Sequence, residues 1–172
     1  MLKKFLPEEH VNSILSIRPE ALKQKGIRGL ITDLDNTLVA WHEPSITPKL
    51  RDWFRAFEEA GLSVLILSNN SEKRIRLFTG DARIPYIYRA KKPLTRGFRQ
   101  AMQRMNLQPE QVVVVGDQLM TDILGANRIG AHSILVVPVA ESDGWATKLN
   151  RLIERFIMRQ LRKRGMLHWE DR

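Results

Sequence analysis

Five short apolar runs, separated by stretches with helical periodicity, constrain this chain more than anything else in its sequence. The runs fall at residues 28–32, 62–67, 86–89, 112–115 and 133–137. Several lack any polar alternation, which is the pattern of strands covered on both faces. The intervening segments carry their own start and stop signals. Thr47-Pro48 supplies an N-cap and a proline at the first helical position, Leu50, Trp53, Phe54 and Phe57 then recur on one face, and Gly61 ends the helix. Asn70-Ser71-Glu72 opens a second helix, Pro93 or Thr95 a third running to about Met105, and Thr121 to Arg128 forms a fourth that stops near Gly130. This rhythm predicts an α/β fold, a doubly wound parallel five-stranded sheet with flanking helices. Ligands of such sheets bind beyond the carboxyl ends of the strands.

The residues at those ends share one kind of chemistry. Asp33 and Asp35 close the first run, Ser68 the second, Lys92 follows the third, and Gly116-Asp117 with Asp122 ends the fourth. A carboxylate aimed at phosphorus can act as a nucleophile and divide hydrolysis into two easier steps, a task that suits Asp33. A second acid two positions along can protonate the leaving alcohol and later accept a proton from water, which suits Asp35. Ser68 and the backbone amides after it, Asn69 included, can hydrogen-bond phosphate oxygens near a helix start, while Lys92 offers a point charge to the transferring group. Lys91 is its rival, but the residue directly before proline is directed differently from its neighbour. Carboxylate and phosphate repel each other, so a hard cation such as Mg2+ is expected, with Asp33, Asp117, Asp122 and the carbonyl of Asp35 as ligand candidates. Asp122 can equally orient Lys92.

This ordered set resembles the haloacid dehalogenase-like phosphatases, whose four motifs are Asp-x-Asp-x-Thr, a Ser or Thr after a strand, a Lys, and Gly-Asp-x-x-x-x-Asp. The resemblance spans Leu30 to about Val137 and includes all four motifs. Asp33 to Trp41, Leu67-Ser68-Asn69-Asn70 and Ala90-Lys91-Lys92-Pro93 look like the YqeG-like group of subfamily IIIA, which is related to phosphatidylglycerophosphate phosphatases. What the resemblance implies is a Mg-dependent phosphomonoester hydrolase with a phosphatidylglycerophosphate substrate. Asp33 and Ser68 lie 35 positions apart and Ser68 and Lys92 only 24. Neither interval has room for a lid domain, so a capless, open site is expected, suited to a substrate too large to enclose.

A chain of 172 residues supports one domain, here a core at about 28–140, an N-terminal helical segment at 1–27 and a basic amphipathic helix at about 145–165. The absence of cysteine excludes disulfides, thiolate metal sites and cysteine nucleophiles. Pro7-Glu8-Glu9-His10 interrupts the start before a signal-peptide apolar region forms, and no run approaches the roughly 20 residues of a membrane span. A cytoplasmic protein is therefore expected, held at most peripherally on the inner face of the membrane. Net charge is +9, which favours an anionic partner. Seven basic residues between Lys148 and Arg164 face Glu154 alone, around an apolar stripe of Leu149, Leu152, Ile153, Phe156, Ile157 and Leu161. That stripe either packs on the domain or lies on an anionic membrane. Trp41 and His42 are expected to pack the loop after Asp33 rather than touch substrate, and His10, His132 and His168 to be structural or solvent-facing. Two alternatives to a lipid substrate remain: nucleotides, nucleic-acid ends or other soluble phosphomonoesters, and a nucleic-acid-binding protein with a vestigial site.

Overall fold

A computed structural model describes residues 2–140 and 145–167, and the side chains of 145–151 lie outside the description. The chain forms one parallel sheet in the order β1-β6-β5-β2-β3-β4. Its strands are β1 (Glu9–Val11), β2 (Gly29–Thr32), β3 (Ser63–Leu67), β4 (Tyr86–Ile87), β5 (Val112–Gly116) and β6 (His132–Val136). The helices are α1 (Pro19–Gln24), α2 (Pro48–Glu59), α3 (Glu72–Thr79), α4 (Thr95–Met105), α5 (Leu124–Ile129) and α6 (Trp145–Lys163).

From β2 the chain winds outward through β3 and β4, then returns to place β5 on the other flank of β2. The strand order therefore reverses between β2 and β5, and the crevice at their carboxyl ends is where such a fold binds ligand. Successive side chains of a strand point to opposite faces, so β2 sends Leu30 into one core and Ile31 into the other. Leu30, Val113 and Val115 meet α2 and α3 through Leu50, Phe57, Ile75 and Phe78. Ile31, Val112 and Val114 meet α4 and α5 through Phe98, Ala101, Met102 and Ala126. The caps read from the sequence form: Thr47 Oγ1 accepts the Leu50 amide and Ser71 Oγ the Arg74 amide, each at 3.3 Å.

Two expectations need correction. The sheet has six strands, because the N-terminal segment is not wholly helical: Glu9–Val11 pairs with β6 in parallel. Three residues, two of them Glu9 and His10, carry no apolar run to announce a strand; its place at the sheet edge needs none. His132 is structural, contacting Glu8 Oε2 at 2.6 Å and the Glu9 carboxylate, while Lys25 Nζ reaches Glu9 at 2.6 Å. Burial raises the Glu9 carboxyl, but Lys25 and His132 outweigh it and hold it below the ordinary range. The second correction concerns Trp41, which is 43% exposed and stands edge-on to His42 at the mouth of the crevice.

The stripe of α6 divides. Ile157 and Leu161 are buried with Leu119, Ile123, Leu135 and Leu167, and Leu2, Phe5 and Leu6 lean on the same cluster. Leu152, Ile153 and Phe156 are exposed, Phe156 at 61%. The helix packs on the domain with one face and turns a second apolar face outward. Leu149 and His168 lie outside the described side chains. No helix among the described residues is long and apolar enough to cross a membrane.

Candidate active site

The site is built from chain ends that the sheet aligns. Asp33 follows β2, and its amide donates to the Val115 carbonyl at 3.0 Å, continuing the pairing with β5 by one residue. The chain then turns sharply. Asn36 takes a left-handed conformation (φ 65°), its amide donates to the Val39 carbonyl at 2.7 Å, and its Oδ1 accepts the Trp41 amide at 3.2 Å. Asparagine suits such a position because its side chain bonds locally in place of the backbone. Thr37 is thereby buried, and its Oγ1 donates to Asp117 Oδ1 at 3.0 Å. This links the first motif to the fourth across the strand-order reversal.

Lys92 is the centre of the arrangement. Its side chain is 3% exposed and its Nζ lies 2.7 Å from Asp33 Oδ1 and 2.7 Å from Asp122 Oδ1. Burial pulls this ammonium down, but the charges of Asp122 and Asp33 outweigh it and keep the group above the ordinary lysine range, so it stays charged. Asn69 sets its position: Oδ1 accepts the Lys92 amide at 2.7 Å and Nδ2 donates to the Lys92 carbonyl at 3.2 Å. Lys91, in contrast, sits at φ 55° and is exposed, so the neighbour is the buried one.

Asp122 belongs to a π-helical turn, Leu119–Ile123, and is 1% exposed. Its Oδ2 accepts the Gln118 amide at 3.2 Å and Thr121 Oγ1 at 3.3 Å, so the carboxylate closes its own loop as well as holding Lys92. Burial pushes its carboxyl up, the charges of Asp33 and Asp117 add to this, and Lys92 opposes them. Gly116 makes the arrangement possible, since a Cβ there would overlap the Asp122 carboxylate. Asp33, Asp117 and Asp122 each bring one oxygen within 4.8 Å of the others. Three carboxylates set against the Lys92 ammonium leave excess negative charge, and this hard-oxygen set can hold a divalent cation.

Asp35 stands apart from that trio. Arg74 contacts its Oδ1 at 2.9 Å through Nη2 and 3.0 Å through Nε, and Asn70 Nδ2 donates to Oδ2 at 3.1 Å. The same guanidinium donates to the Glu43 and Pro44 carbonyls, tying the loop after the first motif to α3. Ser68 is buried, and its Oγ accepts the Asn70 amide at 3.0 Å. Asp33, Asp35, Ser68 and Lys92 line one open cavity of about 520 Å³ together with Trp41 and Gln118. All the residues singled out from the sequence thus converge. Thr37 and Arg74 were not among them: Thr37 carried a signal as the fifth residue of the first motif, whereas Arg74 looks like any surface arginine of an amphipathic helix.

Residues 3–130 match the model of the haloacid dehalogenase-like hydrolase family. The chain is 52% identical to "Probable phosphatase YqeG" of Bacillus subtilis, covering 99% of this chain and 100% of that one. It is 28% identical to "Phosphatidylglycerophosphate phosphatase 1, chloroplastic/mitochondrial" of Arabidopsis thaliana, over 92% of this chain and 45% of the relative. Among solved structures, the cobalt-bound deoxy-D-mannose-octulosonate 8-phosphate phosphatase of Haemophilus influenzae superposes with a TM-score of 0.54 at 17% identity, covering 74% of this chain and 77% of that one. That likeness is one of fold. With its six-stranded parallel sheet and the full motif set, the chain belongs to the haloacid dehalogenase-like hydrolases, as a phosphatase of that family.

Proposed function

We propose that this phosphatase hydrolyses a phosphomonoester by covalent catalysis at Asp33, with Mg2+ as its cation and phosphatidylglycerophosphate as its favoured substrate. The observation that carries the chemistry is the buried Lys92 ammonium, 2.7 Å from both Asp33 and Asp122 at the strand-order reversal. Lys92 engages Asp33 Oδ1, which leaves the other carboxylate oxygen to attack phosphorus. As the oxygen–phosphorus bond forms, the ester oxygen leaves with a proton from Asp35, and an acyl-phosphate stands on Asp33. Asp35 then takes a proton from water as that water attacks phosphorus, releasing phosphate and restoring Asp33. Lys92 offsets charge on the phosphoryl oxygens throughout, with the Ser68 hydroxyl and the main-chain amide of Asn69 as further donors. Asp33, Asp117 and the carbonyl of Asp35 would hold Mg2+, with Asp122 beside them. The bound cation supplies charge neutralisation between two negative partners.

Two observations support a lipid substrate: the cavity is open with no inserted lid between Asp33 and Lys92, and the similarity to the Arabidopsis phosphatidylglycerophosphate phosphatase covers 92% of this chain. Phosphate release from a panel of lipid and soluble phosphomonoesters tests the reading, and preference for nucleotides or sugar phosphates would replace it. Peripheral attachment to an anionic membrane goes with it. Leu152, Ile153 and Phe156 are exposed beside Arg155 and Arg159, and each basic residue near an anionic surface contributes about 1 kcal/mol. Co-sedimentation with anionic and neutral vesicles tests this, and salt should weaken the attachment.

A further inference from the structure

A second concavity opens beside the reaction centre. This groove, of about 900 Å³, runs between the carboxyl end of the sheet and α6. Its floor is apolar, made by Leu119, Leu135, Val136, Pro138 and Met158. One end reaches Asp117, whose carboxylate oxygen lies within 4.8 Å of those of Asp33 and Asp122. The next residue, Gln118, lines the cavity that holds Asp33 and Lys92, so the two concavities adjoin at consecutive residues.

The helix supplies the groove's arginines. Arg155, Arg159 and Arg162 line it, and their spacing of four and three residues puts them on one face of α6. That face is distinct from the buried one of Glu154, Ile157 and Leu161 and from the exposed apolar one of Leu152, Ile153 and Phe156. Among the described residues Arg155 and Arg159 enter no ion pair. Glu154, the acid of the helix that also lines the groove, is buried and accepts the Met120 amide at 3.3 Å, which ties it to the loop carrying Asp122. Arginine side chains over an apolar trough match a ligand with an anionic group followed by hydrocarbon. The planar fork of arginine binds phosphodiester or carboxylate oxygens in pairs, and the floor removes apolar surface from water. Among the described residues no Phe, Tyr or Trp lines the groove to stack a nucleotide base.

We infer that the groove under α6 is the subsite for the non-reacting part of the substrate: Arg155 and Arg159 bind a second acidic group, and the floor takes the hydrocarbon beyond it. This rests on the lipid-monoester reading of the adjoining centre. It makes α6 a specificity element of the enzyme as well as a packing element.

The test uses the full chain with Mg2+, as wild type and as the Arg155→Gln/Arg159→Gln double variant. Turnover is compared on dihexanoyl phosphatidylglycerophosphate, which carries a second phosphate, and on p-nitrophenyl phosphate, which does not. The preference for the lipid, as a ratio of kcat/KM values, should fall by about tenfold or more through KM, the scale of a charged hydrogen-bonded contact. Arg155→Lys/Arg159→Lys should restore part of it. Equal losses on both substrates, or an unchanged ratio, would overturn the proposal. Dihexanoyl phosphatidylglycerol, with the diester and no reacting monoester, separates the subsite from the substrate reading. It should inhibit p-nitrophenyl phosphate hydrolysis competitively, and the double variant should need several times more of it. Inhibition that depends on the arginines without lipid turnover would keep the subsite and reject the lipid substrate; no inhibition of the wild type would reject the subsite.

Discussion

The crevice between β2 and β5 and the helix α6 solve opposite problems. In the crevice the central polar groups have several partners each: the Lys92 ammonium two carboxylates, with Asn69 holding its main chain, Asp122 the Lys92 ammonium, the Gln118 amide and Thr121, and Asp35 the side chains of Arg74 and Asn70. On α6, among the described side chains, Arg155, Arg159 and Arg162 are exposed, while Glu154, Ile157 and Leu161 are buried and Met158 packs against the same cluster. A crowded buried network specifies one geometry, and any change in it is felt by the chemistry. A helix with three differently furnished faces leaves two of them available to other molecules, so substitutions there should divide cleanly between stability and recognition.

The sharpest way to break this contrast is Asp33→Asn. The amide is nearly isosteric but far less nucleophilic, so turnover should vanish while thermal unfolding stays close to wild type; beryllium fluoride should attach to the wild-type carboxylate alone. Residual turnover in this variant would end the covalent mechanism. Next in size, Asp117→Ala should lose activity together with its response to added Mg2+. Asp122→Asn should be milder in metal titrations, since its carboxylate is already engaged by Lys92 and two loop donors. Chelation of the wild type should mimic Asp117→Ala and be reversed by Mg2+. The reverse order of metal affinities would exchange the roles of the two aspartates.

Leu161→Ala carries the contrast to the helix. Leu161 is wholly buried, and such truncations cost about 2–5 kcal/mol, read as a lower denaturation midpoint in urea. Arg74→Gln should reduce kcat by about tenfold or more, a fraction of what general acid catalysis contributes, because Asp35 loses the guanidinium that aims it. An unchanged kcat would mean that Asn70 alone suffices. The smallest effect on the fold is expected from Phe156→Ser, about 0.5 kcal/mol or less for an exposed side chain. That variant should nevertheless sediment less with anionic vesicles than wild type. If Phe156→Ser unfolds the protein as Leu161→Ala does, the outward face is not a surface at all.

Legibility followed the same divide. Asp33, Ser68, Lys92 and Asp117 could be read from the sequence because each terminates or follows an apolar run, and strand ends have only one place to go in a doubly wound sheet. Asp122 was readable as a site residue with two roles open, metal ligand or orienter of Lys92, and its contact with Lys92 depends on a π-helical turn and on the space left by Gly116. Arg74 escaped because its partner lies 39 residues earlier and nothing local marks the pairing. The strand β1 escaped because its half-buried residues have no apolar pattern. On α6 the helical period was plain, yet a period fixes which residues share a face and not which face meets the domain. Ile157 and Phe156 are adjacent apolar residues with opposite fates.

The third hydrophobic cluster has a consequence for how the molecule is made. It joins Leu2, Phe5 and Leu6 to Ile157, Leu161 and Leu167, and Asn127 Nδ2 fastens the same N-terminal segment through the Lys4 and Leu6 carbonyls at 2.9 and 3.0 Å. Contacts of such sequence separation carry a loop-closure cost and come late. During synthesis the sheet from β2 to β5 can assemble while α6 is still on the ribosome, leaving Leu2, Phe5 and Leu6 without that cover. Emergence of α6 then covers that cluster on the nascent chain, and the same helix walls the groove that reaches Asp117.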